Sequence, residues 1–117
     1  MERTRRSDGL VEIGDLAQRL GVSYRTLQFY EEKHLLASSI VGRVRHYDDE
    51  QCRRAEAILH FRRLGFSVEE TRRLLAIGDG SEAEGSLKHA FERQIAELER
   101  RKREIDAALE ELQRLTR

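Results

Sequence analysis

Ile13-Gly14-Asp15-Leu16-Ala17-Gln18-Arg19-Leu20-Gly21-Val22-Ser23-Tyr24-Arg25-Thr26-Leu27-Gln28-Phe29-Tyr30-Glu31-Glu32-Lys33 is the stretch on which the fold turns. Ile13, Leu16, Ala17 and Leu20 recur at the i, i+3, i+4, i+7 spacing that gives a helix one buried face. Gly21 stops that helix, because a C-terminal cap needs the left-handed backbone that glycine tolerates. Ser23 is a good N-cap, so a second helix is expected from about Tyr24 to Lys33. The expected buried set is Ile13, Leu16, Ala17, Leu20, Val22 and Leu27, with Ala17 small enough to let the second helix cross closely. Tyr24, Arg25, Gln28 and Glu32 are left on the outer face. Two short helices joined by a glycine-containing turn outline a helix-turn-helix, an outline that any αα-hairpin shares.

Beyond this stretch the periodicity changes. Leu35, Leu36, Ile40, Val41 and Val44 are mixed with Ser38, Ser39 and Gly42, and helical spacing is lost. Serine and glycine favour turns, and Ile and Val favour strands, so residues 35–47 read as a short β-hairpin tipped by Gly42-Arg43-Val44-Arg45. A hairpin directly after a helix-turn-helix is a wing. Asp48, with Gln51 three residues on, predicts a capping-box-like start to a third helix, whose apolar positions are Cys52, Ala55, Ile58, Leu59 and Leu64. Gly65 ends it. Ser67-Val68-Glu69-Glu70 is a second capping box, opening a fourth helix to about Ile77 with Leu74 and Leu75 inward.

Residues 78–85 have linker composition. A long helix is then expected from Ser86 to about Thr116, with Phe91, Leu98, Ile105 and Leu112 recurring every seventh residue. Leu87, Gln94, Arg101, Ala108 and Leu115 occupy the companion positions. At 1.5 Å per residue such a helix is roughly 45 Å long, too long to bury its apolar stripe on so small a domain. The stripe calls for a partner helix, and a second copy of the chain is the simplest source. The expected organisation is therefore a mainly α chain: an N-terminal arm at 1–10, a winged helix-turn-helix domain at 11–77, a linker at 78–85 and a coiled-coil dimerisation helix at 86–117.

Composition narrows the function classes. The 117 residues suit one modest core and no deep-clefted enzyme fold. Basic and acidic residues balance at 22 each, so nucleic-acid binding requires basic groups gathered on one face rather than an excess. Residues 1–77 hold 14 basic and 12 acidic side chains, too slight a bias to argue from alone. A single cysteine, Cys52, excludes an internal disulfide and a cysteine-cluster metal site within one chain. His34, His46, His60 and His89 show no metal-ligand spacing, so neither metal nor other cofactor is expected. The N-terminal charges have no apolar stretch behind them and no run is long enough to span a bilayer. No secretory signal or membrane contact is expected, and the cytoplasm is the expected compartment. No nucleophile–base arrangement or phosphate-binding loop is recognisable, so no enzymatic activity is expected.

Several ordered motifs resemble one family. Ile13 to Ser23 resembles the opening of MerR-type regulators, and Arg25-Thr26-Leu27-Gln28-Phe29-Tyr30-Glu31 resembles their recognition helix. Gly42-Arg43-Val44-Arg45-His46-Tyr47 resembles the wing, and Arg62-Arg63-Leu64-Gly65-Phe66-Ser67-Val68-Glu69-Glu70 the joint between the third and fourth helices. The resemblance implies a bacterial transcription regulator: a symmetric homodimer on double-stranded DNA at a pseudo-palindromic promoter operator. It would bend and untwist overlong promoter spacers and so act on RNA polymerase indirectly, through DNA shape. This chain departs from the family pattern at Gln28, where Arg is usual, at Phe29, often Tyr, and at Val44, a frequent Tyr. A proline common ahead of the wing is missing. These departures bear on which operator is read, since Gln can pair with adenine N6 and N7.

The resemblance makes Tyr24, Arg25 and Gln28 candidates for base or groove contact. Tyr30, Arg43, Arg45 and Tyr47 become candidates for phosphate contact, and Arg62 for a second wing's grip. Tyr30 and Tyr47 are equally suited to burying their rings in the core. Arg53, Arg54, Arg72 and Arg73 read as ordinary surface residues, and Cys52 as a core residue. Leu87, Phe91, Leu98, Ile105, Leu112 and Leu115 are the expected dimerisation residues. The competing reading is a coiled-coil interaction module whose winged domain binds protein.

Overall fold

Three of the helices stop in the same way, and those stops shape the N-terminal part of the molecule. The computed structural model describes residues 9–78 and 80–117, so the first eight residues of the expected arm lie outside it. The element order is β1 (Val11–Glu12), α1 (Ile13–Leu20), α2 (Tyr24–Glu32), β2 (Ser39–Val41), β3 (Val44–Tyr47), α3 (Asp49–Arg63), α4 (Val68–Leu75) and α5 (Ser81–Leu115). The chain divides into two units after Ala76.

α1 ends with Gly21 at φ 69°, where the Gly21 N–H donates to Gln18 O at 3.2 Å and Val22 N–H to Ala17 O at 3.0 Å. α3 ends alike: Gly65 N–H donates to Arg62 O at 3.0 Å and Phe66 N–H to Phe61 O at 3.2 Å. α2 repeats the pattern without a glycine. His34 takes φ 61°, its N–H donates to Glu31 O at 3.0 Å, and Leu35 N–H donates to Tyr30 O at 2.8 Å. Each end is a Schellman motif, which satisfies orphan carbonyls and turns the next residue back toward the helix. Phe66 and Leu35 are thereby buried, and Val22 packs at the core margin.

The fully buried side chains include Val11, Leu16, Leu27, Leu35, Tyr47 and Ile58, with Cys52 among their neighbours as expected. A three-stranded antiparallel sheet, ordered β1-β3-β2, closes one side. β1 pairs Val11 with Tyr47 and Glu12 with His46, and at two residues it is too short to show a period in the sequence. The hairpin turns through Gly42 at φ 58° and Arg43 at φ 73°. Two central residues with positive φ suit the right-handed twist of the strands.

Several expectations are corrected here. Asp48 caps α3 by accepting from Gln51 N–H at 2.8 Å, but no capping box closes, because Gln51 Oε1 instead accepts from Ala37 N–H at 2.8 Å. Leu64 is exposed, since it lies past the last turn of α3. Arg54 and Arg72 are not ordinary surface groups. Arg54 Nε donates to Leu35 O and Arg72 Nη2 to Lys33 O, each at 2.5 Å, so two guanidinium groups fasten the segment that leaves α2. The Ser67–Glu70 box at α4 is complete.

In the second unit, α5 starts at Ser81, five residues before the expected point, so residues 81–85 are helical despite their linker composition. Small and acidic residues are tolerated in a first turn, where Glu82 and Glu84 favour the positive helix end. Phe91, Leu98, Ile105 and Leu112 are all exposed, as are Ile95 and Leu109, which lie four residues after Phe91 and Ile105. Ile95, Lys102 and Leu109 thus form an exposed row beside the stripe. In the expected companion row Gln94 is buried, Leu87 half-buried and Arg101 charged. Leu115, the last residue of α5, is also exposed.

Thr71, fully buried on α4, has a hydroxyl with no hydrogen-bond partner among the described residues. An unmet buried hydroxyl costs desolvation, and valine has the same shape without it. Thr71→Val should therefore raise unfolding stability by about 1 kcal/mol. Urea unfolding of both proteins checks this, and a destabilised variant would show that the hydroxyl is satisfied in solution.

Candidate nucleic-acid interface

The outer face of α2 is built by helix geometry. Tyr24, Arg25, Gln28 and Glu32 fall within about 100° of one another around the axis, opposite Leu27 and Tyr30. All four are exposed. Ser23 fixes the start of the helix, its hydroxyl accepting from Thr26 N–H at 3.2 Å. Tyr24 is 55% exposed, yet it is seated: a Cβ placed on Gly14 would stand 2.7 Å from its hydroxyl. Gly14 leaves room in the first turn of α1 for that ring. Phe29 lies on the flank of the helix with Lys33 Nζ 5.5 Å from its ring centroid, a cation–π distance.

The wing is tied to this helix through one carboxylate. Glu31 Oε1 accepts from Ser38 Oγ at 2.5 Å and from Arg45 Nη1 at 2.9 Å, while Glu31 Oε2 accepts from Tyr47 Oη at 2.5 Å. Ser38 lies just ahead of β2, and Arg45 and Tyr47 share one face of β3. The Glu31 side chain is only 13% exposed and that of Arg45 43%. The acid is thus enclosed, while much of the guanidinium faces out.

The sequence-predicted residues divide accordingly. Tyr24, Arg25, Gln28, Arg43 and Arg45 are all exposed, the first three on one face of α2 and the last two on the hairpin, where Arg45 pairs with Glu31 of α2. Tyr30 and Tyr47 do not join them. At 6% and 0% exposure both rings belong to the core, and the Tyr47 hydroxyl is committed to Glu31, which turns it away from its expected phosphate role. Arg62 is exposed, but its Nη1 donates to Phe66 O at 2.6 Å and braces the α3–α4 joint.

Residues 11–76 match the family model described as MerR HTH family regulatory protein. The chain belongs to the MerR family. A second model, described as MerR, DNA binding, matches residues 52–115. The HTH-type transcriptional regulator ZntR of Escherichia coli (strain K12) is 30% identical over 110 residues, 92% of this chain and 74% of ZntR. Among solved structures, the N-terminal part of MtaN, the Bacillus subtilis multidrug transporter activator, has a TM-score of 0.71 at 28% identity, covering 88% of this chain and 94% of that one. HiNmlR, a MerR family regulator lacking the sensor domain and bound to promoter DNA, shares the fold with a TM-score of 0.61 at 21% identity, covering 86% and 79% of the two chains.

As a MerR-family transcriptional regulator with a DNA-binding domain, the chain owes its site to two residues that sequence reasoning passed over. Glu31 stood in the sequence as one of two adjacent acids, and only the fold shows which one turns inward. Gly14 carried a visible signal, a glycine within a helical period, which marks close packing.

Burial, and then the hydrogen bond to Glu31, push the Tyr47 phenol well above its ordinary value of 10.0. The folded chain therefore holds this proton more tightly than the unfolded chain, so the associated stability is present below about pH 10 and is lost as pH rises further. Tyr47→Phe should cost about 1–3 kcal/mol at neutral pH, by stranding a lone pair of an enclosed carboxylate. It should also lose less stability than the parent between pH 9 and 11. Denaturant unfolding across that range measures both effects, and equal alkaline losses would remove Tyr47 as the source.

Proposed function

We propose that this MerR-family chain binds double-stranded DNA as a homodimer, laying α2 in the major groove and the β2–β3 wing along the flanking backbone. The observation that carries this reading is that Tyr24, Arg25 and Gln28 are exposed on one face of α2 while the exposed Arg45 of the wing is tied to that same helix through Glu31. Tyr24, Arg25 and Gln28 serve groove contact. Arg43, Arg45 and the spare N–H groups of Arg62 serve phosphate contact, which fixes register and carries the salt dependence. The fold shared with a promoter-bound relative supports the docking mode.

The homodimer reading rests on α5. A 35-residue helix is about 52 Å long at 1.5 Å per residue, and its stripe of exposed Phe, Ile and Leu is spaced as a coiled-coil seam. A two-fold dimer on a pseudo-palindromic operator then bends and untwists the promoter, acting on RNA polymerase through DNA shape. A winged domain that binds protein instead would leave the exposed arginines without a phosphate partner.

Footprinting on duplexes enriched by the protein from its own genome tests the reading, and the absence of sequence-specific protection would overturn it. Arg45→Ala should weaken binding to all duplexes and reduce the slope of log affinity against log salt by about 1. An unchanged slope would remove Arg45 from the phosphate contacts. Leu98→Asp combined with Ile105→Asp should give monomers in sedimentation velocity, and a persisting dimer would place the interface elsewhere.

A further inference from the structure

We infer that Glu31 is a specificity-determining residue for DNA, acting by positioning the guanidinium of Arg45 rather than by touching DNA itself. The inference rests on the DNA-binding reading above. A carboxylate on a DNA-binding helix repels phosphate, so its presence there calls for a physical reason. The geometry supplies one. Glu31 is enclosed and directs both oxygens to protein donors, with Ser38 and Arg45 on Oε1 and Tyr47 on Oε2.

Arg45 gives only Nη1 to this arrangement, to Glu31 and, at 3.4 Å, to Ser38 Oγ. A guanidinium has five N–H donors in a planar fork, and fixing one end fixes the direction of the rest. The outward part of Arg45 is therefore aimed from α2, the helix that would read the bases. Groove reading and backbone contact become one rigid constellation. With Arg45 loose, the charge would still attract phosphate, but it would attract any phosphate equally. Aimed, it accepts only the backbone position that coincides with correct seating of α2, including whatever shape the duplex must adopt to bring it there. Glu31 thus trades general attraction for discrimination.

The experiment compares two duplexes of equal length, one selected by the parent protein from a randomised pool and one scrambled. Glu31→Gln should keep or raise affinity for the scrambled duplex, because a negative charge is removed. Its ratio of selected to scrambled affinity should fall about tenfold, a coupling typical of residues in direct contact. In an Arg45→Ala background the same substitution should change the ratio less than about twofold, because there is no guanidinium left to aim. A ratio unaffected by Glu31→Gln, or reduced equally in both backgrounds, would overturn the inference.

Thermal unfolding monitors whether Glu31→Gln remains folded. Should it not, Arg45→Lys decides the matter, since its exposed site tolerates the change. A lysine keeps the charge and the pairing with Glu31 but has no fork to aim, so the salt slope should persist while the ratio falls about tenfold. A retained ratio would overturn the inference. A parent protein that enriches no duplex from the pool would instead overturn the DNA-binding reading beneath it.

Discussion

The N-terminal unit depends on an enclosed carboxylate. A buried acid is costly unless donors meet it on both oxygens, and Glu31 obtains three of them from a loop and a strand distant in sequence. The requirement works in both directions. Glu31 meets the hydroxyl of the fully buried Tyr47 only because β3 lies where it does, and β3 is held there partly by that contact. Within the hairpin Ile40 and Val44 are exposed, while Tyr47 of β3 is fully buried. Polar closure onto α2 thus adds to the packing of Tyr47 in fixing the wing.

The segment between α2 and β2 shows the same economy. Lys33 O and Leu35 O are capped by Arg72 and Arg54, and Ala37 N–H by Gln51. These three side chains come from α3 and α4, so the later helices secure the exit of α2. Their cationic appearance in the sequence therefore overstates the positive charge free to meet a partner. Arg54 and Arg72 are fasteners, and Arg62 is partly one.

Much of the fold was legible because its signals are local. Gly21, Ser23, Asp48, Gly65 and Ser67 each mark a helix end by their own backbone or side-chain chemistry, and the structure places the ends there. What was not legible depends on long-range closure. β1 has only two residues and exists because β3 offers an edge. Tyr47 and Arg45 differ by two positions on one strand face, and nothing local shows that one ring is enclosed while one guanidinium emerges. In α5 the period of seven was readable, but the burial of Gln94 next to an exposed Ile95 was not. The composition of residues 81–85 misled for a simple reason: glycine and serine lower helix propensity without forbidding a helix that 30 further residues propagate.

Arg43 sits at the hairpin tip with φ 73°, a left-handed conformation that a side chain with a Cβ adopts only at a cost. Its backbone is held there by the two-residue turn, so its conformational freedom is given up when the chain folds. A partner that meets this cation finds its backbone already in one place. The entropy of ordering the tip falls on folding and not on association, and loosening the turn would therefore weaken association while leaving every contact in the complex intact.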